Sequence, residues 1–153
     1  MDTNSDEVKV WLDKLERYCA YQERCISDVK TKMYNLKIPK EEMSFFLDKL
    51  IEDKFIDELR YARAFLRAKT NFKKDGLEKI RFALMQKGIA AATIAEVFED
   101  LDRDLYDENL KALIDKKWPS LNQKNEKQEA KAKLIRFLLS KGYKYDDFKN
   151  LLK

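Results

Sequence analysis

SDVKTKMYNLKIPKEEMSFFLDKL, residues 27–50, places its apolar side chains at Val29, Met33, Ile38, Met43, Leu47 and Leu50. Moving the frame on by 51 residues lands on Ile80, Leu84, Ile89, Ile94, Phe98 and Leu101. A further step of 54 lands on Leu134, Leu138, Tyr143, Phe148 and Leu152. Each set occupies the same place in its unit, and so does the punctuation: Lys37-Ile38, Gly88-Ile89 and Gly142-Tyr143. Self-similarity at this period is the signature of a repeat array.

Within each unit the apolar residues recur at three and four, the period of a helix with one buried face. Ser27 is a candidate cap for a helix over 28–36. Pro39 suits the first turn of the next helix, with Glu41 and Glu42 near the positive end of its dipole. Asp57 is a good N-cap for a helix over 58–70, and Asp75 followed by Glu78 resembles a capping box. Gly88 and Gly142 sit where a left-handed residue would end a middle helix. The chain is thus read as all-α: a polar, disordered N-terminal tail at 1–7 and three-helix repeats at 8–54, 55–101 and 102–153. A unit of this size buries too little surface alone, so stacked neighbours should form an elongated, curved array with contacts mainly between adjacent units. The polar run 122–128 is expected to be a surface linker or a frayed helix start, and Trp11 and Trp118 to pack near the ends of the array.

Composition agrees. Of 153 residues, 44% are hydrophobic and 39% charged, with three Gly and two Pro. Strand-rich folds need more turns than that. No run approaches the roughly 18 apolar residues of a membrane span, and no apolar signal core follows the acidic N-terminus. A cytoplasmic protein without membrane attachment is expected.

The chain contains no histidine. Ser-His, Cys-His and His-metal chemistry are therefore excluded. Neither G-x-G-x-x-G nor G-x-x-x-x-G-K occurs. Cys19 and Cys25 lack metal-site spacing and are read as reduced and structural. The many carboxylates lie mostly on helix surfaces. We expect no catalytic residue, no metal and no cofactor: a binding protein, not an enzyme.

Net charge is only +4, but it is unevenly spread. Residues 1–59 carry about −4, 60–87 about +7, 96–109 about −6 and 110–153 about +7. In the second unit Arg60, Arg63 and Arg67 fall at i, i+3 and i+7, on one helix face. Lys69, Lys73, Lys74, Lys79, Arg81 and Lys87 continue the positive density. Arginine grips phosphate or carboxylate with paired hydrogen bonds, so such a strip could follow a nucleic-acid backbone or an acidic protein groove. The plainer reading is a solvated face paired with the acidic run at 96–109. Tyr61, Phe65, Phe72 and Phe82 interleave with these charges. At helical spacing they read as core, with base stacking on one of them as the sharper option.

The same segment resembles a known family. Phe55-Ile56-Asp57, Tyr61-Ala62, Phe65, Arg67, a Gly-containing loop, Ile80, Leu84 and Lys87-Gly88-Ile89 are similar to the RecX family of bacterial recombination regulators. Arg24-x-x-Ser27 in the first unit, and Phe137-Leu138 with Lys141-Gly142-Tyr143 in the third, extend the likeness over residues 8–152. Members usually carry Gly where this chain has Lys37 and Lys54, and a basic residue or Pro after the Gly of the Gly76-Leu77 loop. The resemblance implies a non-enzymatic regulator of RecA, active in DNA repair and the SOS response. Such a protein lies in the groove of the RecA–DNA filament and inhibits ATP hydrolysis and strand exchange. A monomer is expected, its partners being the RecA filament and the DNA within it. The contact residues would be Arg60, Arg63, Arg67, Lys73, Lys74, Lys79 and Arg81. The alternatives are an autonomous single- or double-stranded DNA-binding repeat protein and a helical adaptor for an unrelated partner.

Overall fold

The computed structural model describes residues 5–152. It is all helical, with no strand among the described residues. The first repeat holds α1 (Asp6–Tyr21), α2 (Ile26–Asn35) and α3 (Met43–Glu52). The second holds α4 (Glu58–Ala68), α5 (Leu77–Gln86) and α6 (Ala91–Phe98). The third holds α7 (Arg103–Lys124), α8 (Lys127–Ser140) and the short α9 (Tyr145–Phe148). No helix among the described residues is long and apolar enough to cross a membrane.

Each repeat has its own core. Val29, Met33 and Ile38 pack with Leu15, Phe46 and Leu50, and Trp11 meets Phe46 edge-on. Ile80, Leu84 and Ile89 pack with Tyr61, Ala62 and Val97. Leu134, Leu138 and Tyr143 pack with Tyr106, Leu110 and Phe148, with Trp118 at the margin. The first three positions of the recurring pattern are buried in every repeat.

All three middle helices end in the same way. Ile38, Ile89 and Tyr143 each donate a backbone N–H to the carbonyl five residues back, at 3.1 Å in every case. The residue before each is left-handed: Lys37 at φ 62°, Gly88 at 80°, Gly142 at 100°. This is the helix stop for which glycine is favoured. Lys54, after α3, also has φ 63°. A side chain in this region costs about 1 kcal/mol or more. Glycine removes that cost but loses more chain entropy on folding. Lys37→Gly and Lys54→Gly should therefore each stabilise the fold by about 0.5 kcal/mol, additively because the sites lie apart. Denaturant midpoints of the single and double variants check this.

Several local expectations are corrected. Residues 1–4 of the expected tail lie outside the described residues. Ser5 caps α1 by accepting from the Val8 N–H at 3.2 Å, so Asp6 and Glu7 are helical. Cys25, not Ser27, is the N-cap of α2, and the Asp28 carboxylate accepts from the Cys25 N–H. Asp57 caps α4 as expected, accepting from Arg60 N–H at 3.0 Å. But α4 stops at Ala68 and passes into a π turn, Lys69–Lys73, closed by left-handed Lys74. Gly76 is the N-cap of α5, and Asp75 instead turns inward. The expected linker is mostly helix. α7 continues through Pro119 to Lys124, because the leucines and Trp118 along it keep contact with the third core.

Among the described residues, every hydrogen bond or ion pair between repeats joins neighbours. At the first joint Glu58 accepts from the Ile26 N–H at 3.1 Å, and the Cys25 side chain enters the second core. Lys87 pairs with Asp28 at 2.9 Å. Burial works against the Asp28 carboxylate, yet the bonds from Lys87 and from Cys25 outweigh it and hold its pKa below the ordinary value. The bond to Asp28 raises Lys87. The stabilisation from Asp28 is thus full above the ordinary carboxylate pKa and lost as pH falls through the lowered folded value. That from Lys87 is full below the ordinary lysine pKa and lost as pH rises through the raised one. Asp28→Asn should remove both flanks. Denaturation midpoints of the two proteins against pH should differ most on the plateau between them and converge in acid.

At the second joint the backbones themselves bond. Gly76 N–H donates to the Lys141 carbonyl at 2.7 Å and Glu78 N–H to the Gly142 carbonyl at 3.0 Å. Tyr143 hydroxyl donates to the Lys74 carbonyl and Lys141 Nζ to the Lys73 carbonyl. Asn109 Nδ2 donates to the Thr70 carbonyl. Buried Asp75 pairs with Lys141 at 3.2 Å. The turn between α4 and α5 is therefore clamped against the third repeat.

Candidate functional site

The clamped turn presents the cationic surface of the second repeat. α4 buries Tyr61, Ala62 and Leu66, which leaves Arg60, Arg63 and Arg67 exposed on its other side. Tyr61 is a core residue, and burial raises its hydroxyl pKa. The three arginines share a face but not a state. Arg60 Nε binds both Glu23 oxygens at 2.7 and 2.8 Å, and its Nη2 donates to the carbonyls of Lys54 and Phe55. Arg63 Nε binds Asp100 at 3.0 Å. These two therefore tie α4 to the first repeat and to the end of α6. The acidic run at 96–109 does neutralise part of the strip, as the plainer reading held.

Lys79 leans toward Asp75 at 3.7 Å. Arg81 binds Glu78 at 2.7 Å and stacks over Phe98. By contrast, Arg67, Lys73 and Lys74 have no side-chain partner among the described residues. Arg67 also edges a cleft between the second and third repeats, lined by Leu66, Thr70, Asp102, Leu105 and Tyr106. Phe72 stands in the same turn with 84% of its surface exposed. Further along, Phe82 and Met85 are exposed on α5.

What sequence reasoning missed was the clamp. Lys141, Tyr143 and Asn109 act from the third repeat, 68, 69 and 39 residues away from the carbonyls they bind. Burial raises the pKa of Tyr143, and that of Tyr106 to about 12, so both hydroxyls keep their protons. Tyr106 accepts from the Leu77 N–H at 2.8 Å, at the first residue of α5. Among the described residues no group of three or more His, Cys, Asp or Glu converges as a metal site. Cys19 and Cys25 are free and buried, and burial pushes the Cys19 thiol up to about 11.

Comparison with known proteins places this architecture. A model of the second three-helix domain of RecX matches residues 57–97, and one of the third such domain matches residues 104–152. This chain belongs to the RecX family. The regulatory protein RecX of Clostridium tetani is 40% identical over 108 residues, 69% of this chain and 49% of that protein. The regulatory protein RecX of Bacillus mycoides is 28% identical over 143 residues, 94% of this chain and 52% of that protein. The chain thus spans about half the length of the curated relatives it matches. Among solved structures, a regulatory protein RecX superposes with a TM-score of 0.83 at 26% identity, over 92% of this chain and 69% of that one. RecX from Lactobacillus salivarius shares the fold, with a TM-score of 0.82 at 24% identity, over 95% and 94%. The two domain models thus fall on the second and third of the repeats described above.

Proposed function

We propose that the chain is a non-catalytic, monomeric, cytoplasmic regulator that binds the RecA–DNA filament and slows its ATP hydrolysis and strand exchange. The observation that carries this reading is membership of a family of regulatory proteins, joined to a cationic turn that is hydrogen-bonded to the third repeat and whose Arg67, Lys73 and Lys74 have no side-chain partner among the described residues. Arg67, Lys73 and Lys74 are the contacts with the filament, and Phe72 packs against it. Lys79 and Arg81 stand beside them, Lys79 only loosely paired with Asp75 and Arg81 held by Glu78. Arg60 and Arg63 shape the surface without meeting the partner. The mechanism is occupancy: a rigid body with cations at a fixed spacing bridges protein and phosphate and resists the rearrangement that hydrolysis requires.

The test is a titration of DNA-dependent ATP hydrolysis by RecA. Slowing is expected at amounts well below one chain per RecA subunit, because one regulator that bridges subunits acts on more than one of them. Unchanged hydrolysis at equal amounts would refute the reading.

A further inference from the structure

The first repeat carries a second cationic surface, which its net charge conceals. A cleft of about 450 Å³ lies between α1 and α2. Lys14, Arg17, Arg24 and Lys32 line it together with Tyr18 and Tyr21, and no carboxylate does. Glu16, beside Arg17 in the chain, is not among the lining residues, while Glu23 holds Arg60 and Asp28 holds Lys87, both on the second repeat. Among the described residues the one ion pair to a lining cation is that of Asp13 with Arg17, exposed and one helical turn apart. Such pairs contribute little and are readily given up.

The cations are arranged around an aromatic ring. Arg24 lies with Cζ 3.7 Å from the centre of the Tyr18 ring, and its Nε donates to the Tyr18 carbonyl at 3.0 Å. Its two terminal nitrogens have no protein partner among the described residues. Lys32 Nζ comes within 5.3 Å of the same ring. Tyr18 therefore gathers two positive groups from different elements, at a cost in mutual repulsion that an anion would relieve. Beside them Tyr21, in the last turn of α1, is 83% exposed, with the Arg24 guanidinium 5.9 Å from its ring centre.

We propose that this cleft binds a single-stranded polynucleotide, with phosphate on Arg24 and Lys32 and an unpaired base stacked on Tyr21. Charge alone would suit any polyanion. The exposed ring is what selects among them, because an acidic peptide has no planar group to cover it and a duplex keeps its bases stacked inside. The site stands apart from the filament reading, whose residues are all on the second repeat.

The experiment is fluorescence anisotropy of a labelled oligothymidine with the full chain at low salt. Tyr21→Ala should weaken binding by about 5- to 100-fold, the range for losing one stacked base, while Tyr21→Phe keeps it. Circular dichroism should be unchanged, since Tyr21 is at the surface. The Arg24→Ala, Lys32→Ala double variant should reduce the dependence of log affinity on log salt by about 1 to 1.5, as two phosphate contacts are removed. Duplex DNA, polyglutamate and inorganic polyphosphate should compete poorly. Wild-type affinity in Tyr21→Ala, or competition by polyphosphate or polyglutamate equal to that of the oligonucleotide, would overturn the proposal. The RecA titration is read independently of either result.

Discussion

Gly76→Ala is expected to destabilise the protein by about 3–5 kcal/mol, the upper end for a single substitution. The reason is contact between two backbones. A Cβ on Gly76 would overlap the Gly142 carbonyl and the Tyr143 nitrogen, none of which can rotate aside. The only relief is to move α5 away from the end of α8. That breaks the bonds from Gly76 N–H to Lys141 and from Glu78 N–H to Gly142, and it strains the Tyr143 and Lys141 contacts to the turn. Gly142 faces the reciprocal limit. A Cβ there would lie 2.6 Å from the Lys79 nitrogen, and φ of 100° is itself unfavourable to a side chain. Gly88→Ala is the control: it has positive φ but meets nothing within 4 Å. It should cost only about 1 kcal/mol. Urea denaturation of the three variants, with hydrogen exchange at 141–143 and 74–78, measures the effect. Equal losses for Gly88→Ala and Gly76→Ala would show that conformation, not backbone contact, sets the requirement.

The second large effect concerns binding. Reversing the charge of Arg67, Lys73 and Lys74 together, each to Glu, should weaken filament binding on the order of 100-fold or more at moderate salt. Those three cations have no side-chain partner to lose among the described residues, so stability should barely change. Arg60→Ala with Arg63→Ala is expected to do the opposite. Each breaks an ion pair that is partly exposed, worth up to about 1 kcal/mol, and Arg60 also bonds two carbonyls at the first joint. Binding should then fall only as far as the joint loosens. Co-sedimentation with RecA–DNA filaments, alongside denaturant midpoints, separates the two classes. Filament binding lost in the Arg60/Arg63 variant but intact in the charge-reversed one would place the contact surface on α4 instead of the turn.

The two comparisons share a cause. In a stack of small helical units, each unit supplies part of its neighbour's stability, so many charged residues are committed across joints. Fixed joints hold the cationic turn in one orientation. The strongest of them here lies between the second and third repeats, where glycines let main chains touch.

Much of this was legible in the sequence because it is local or periodic. Val29, Met33 and Ile38, repeated as Ile80, Leu84, Ile89 and Leu134, Leu138, Tyr143, announce three cores, since burial of one helix face leaves a spacing of three and four. Gly88 and Gly142 mark helix stops, and Asp57 marks a helix start, because each acts within one turn of chain. Where the local signals competed, sequence reading failed: Ser27 and Asp75 both look like caps, yet Cys25 and Gly76 take those places, as side-chain burial and a backbone joint outweigh cap propensity.

The state of a surface charge depends on what lies across from it, and that is a property of tertiary structure. Arg60 and Arg67 look equivalent along α4, but Glu23 reaches the first from 37 residues away and nothing described reaches the second. The charges of the first repeat nearly cancel by count, yet Asp28 and Glu23 are both drawn to cations of the second. The cleft at Tyr18 and Tyr21 is left positive as a result. Covalent order and helical period dictated where the cores and turns would fall. Only tertiary packing, within the second repeat and between it and the first, brought distant carboxylates to within about 3 Å of particular cations and so decided which charges are left without an ion partner among the described residues.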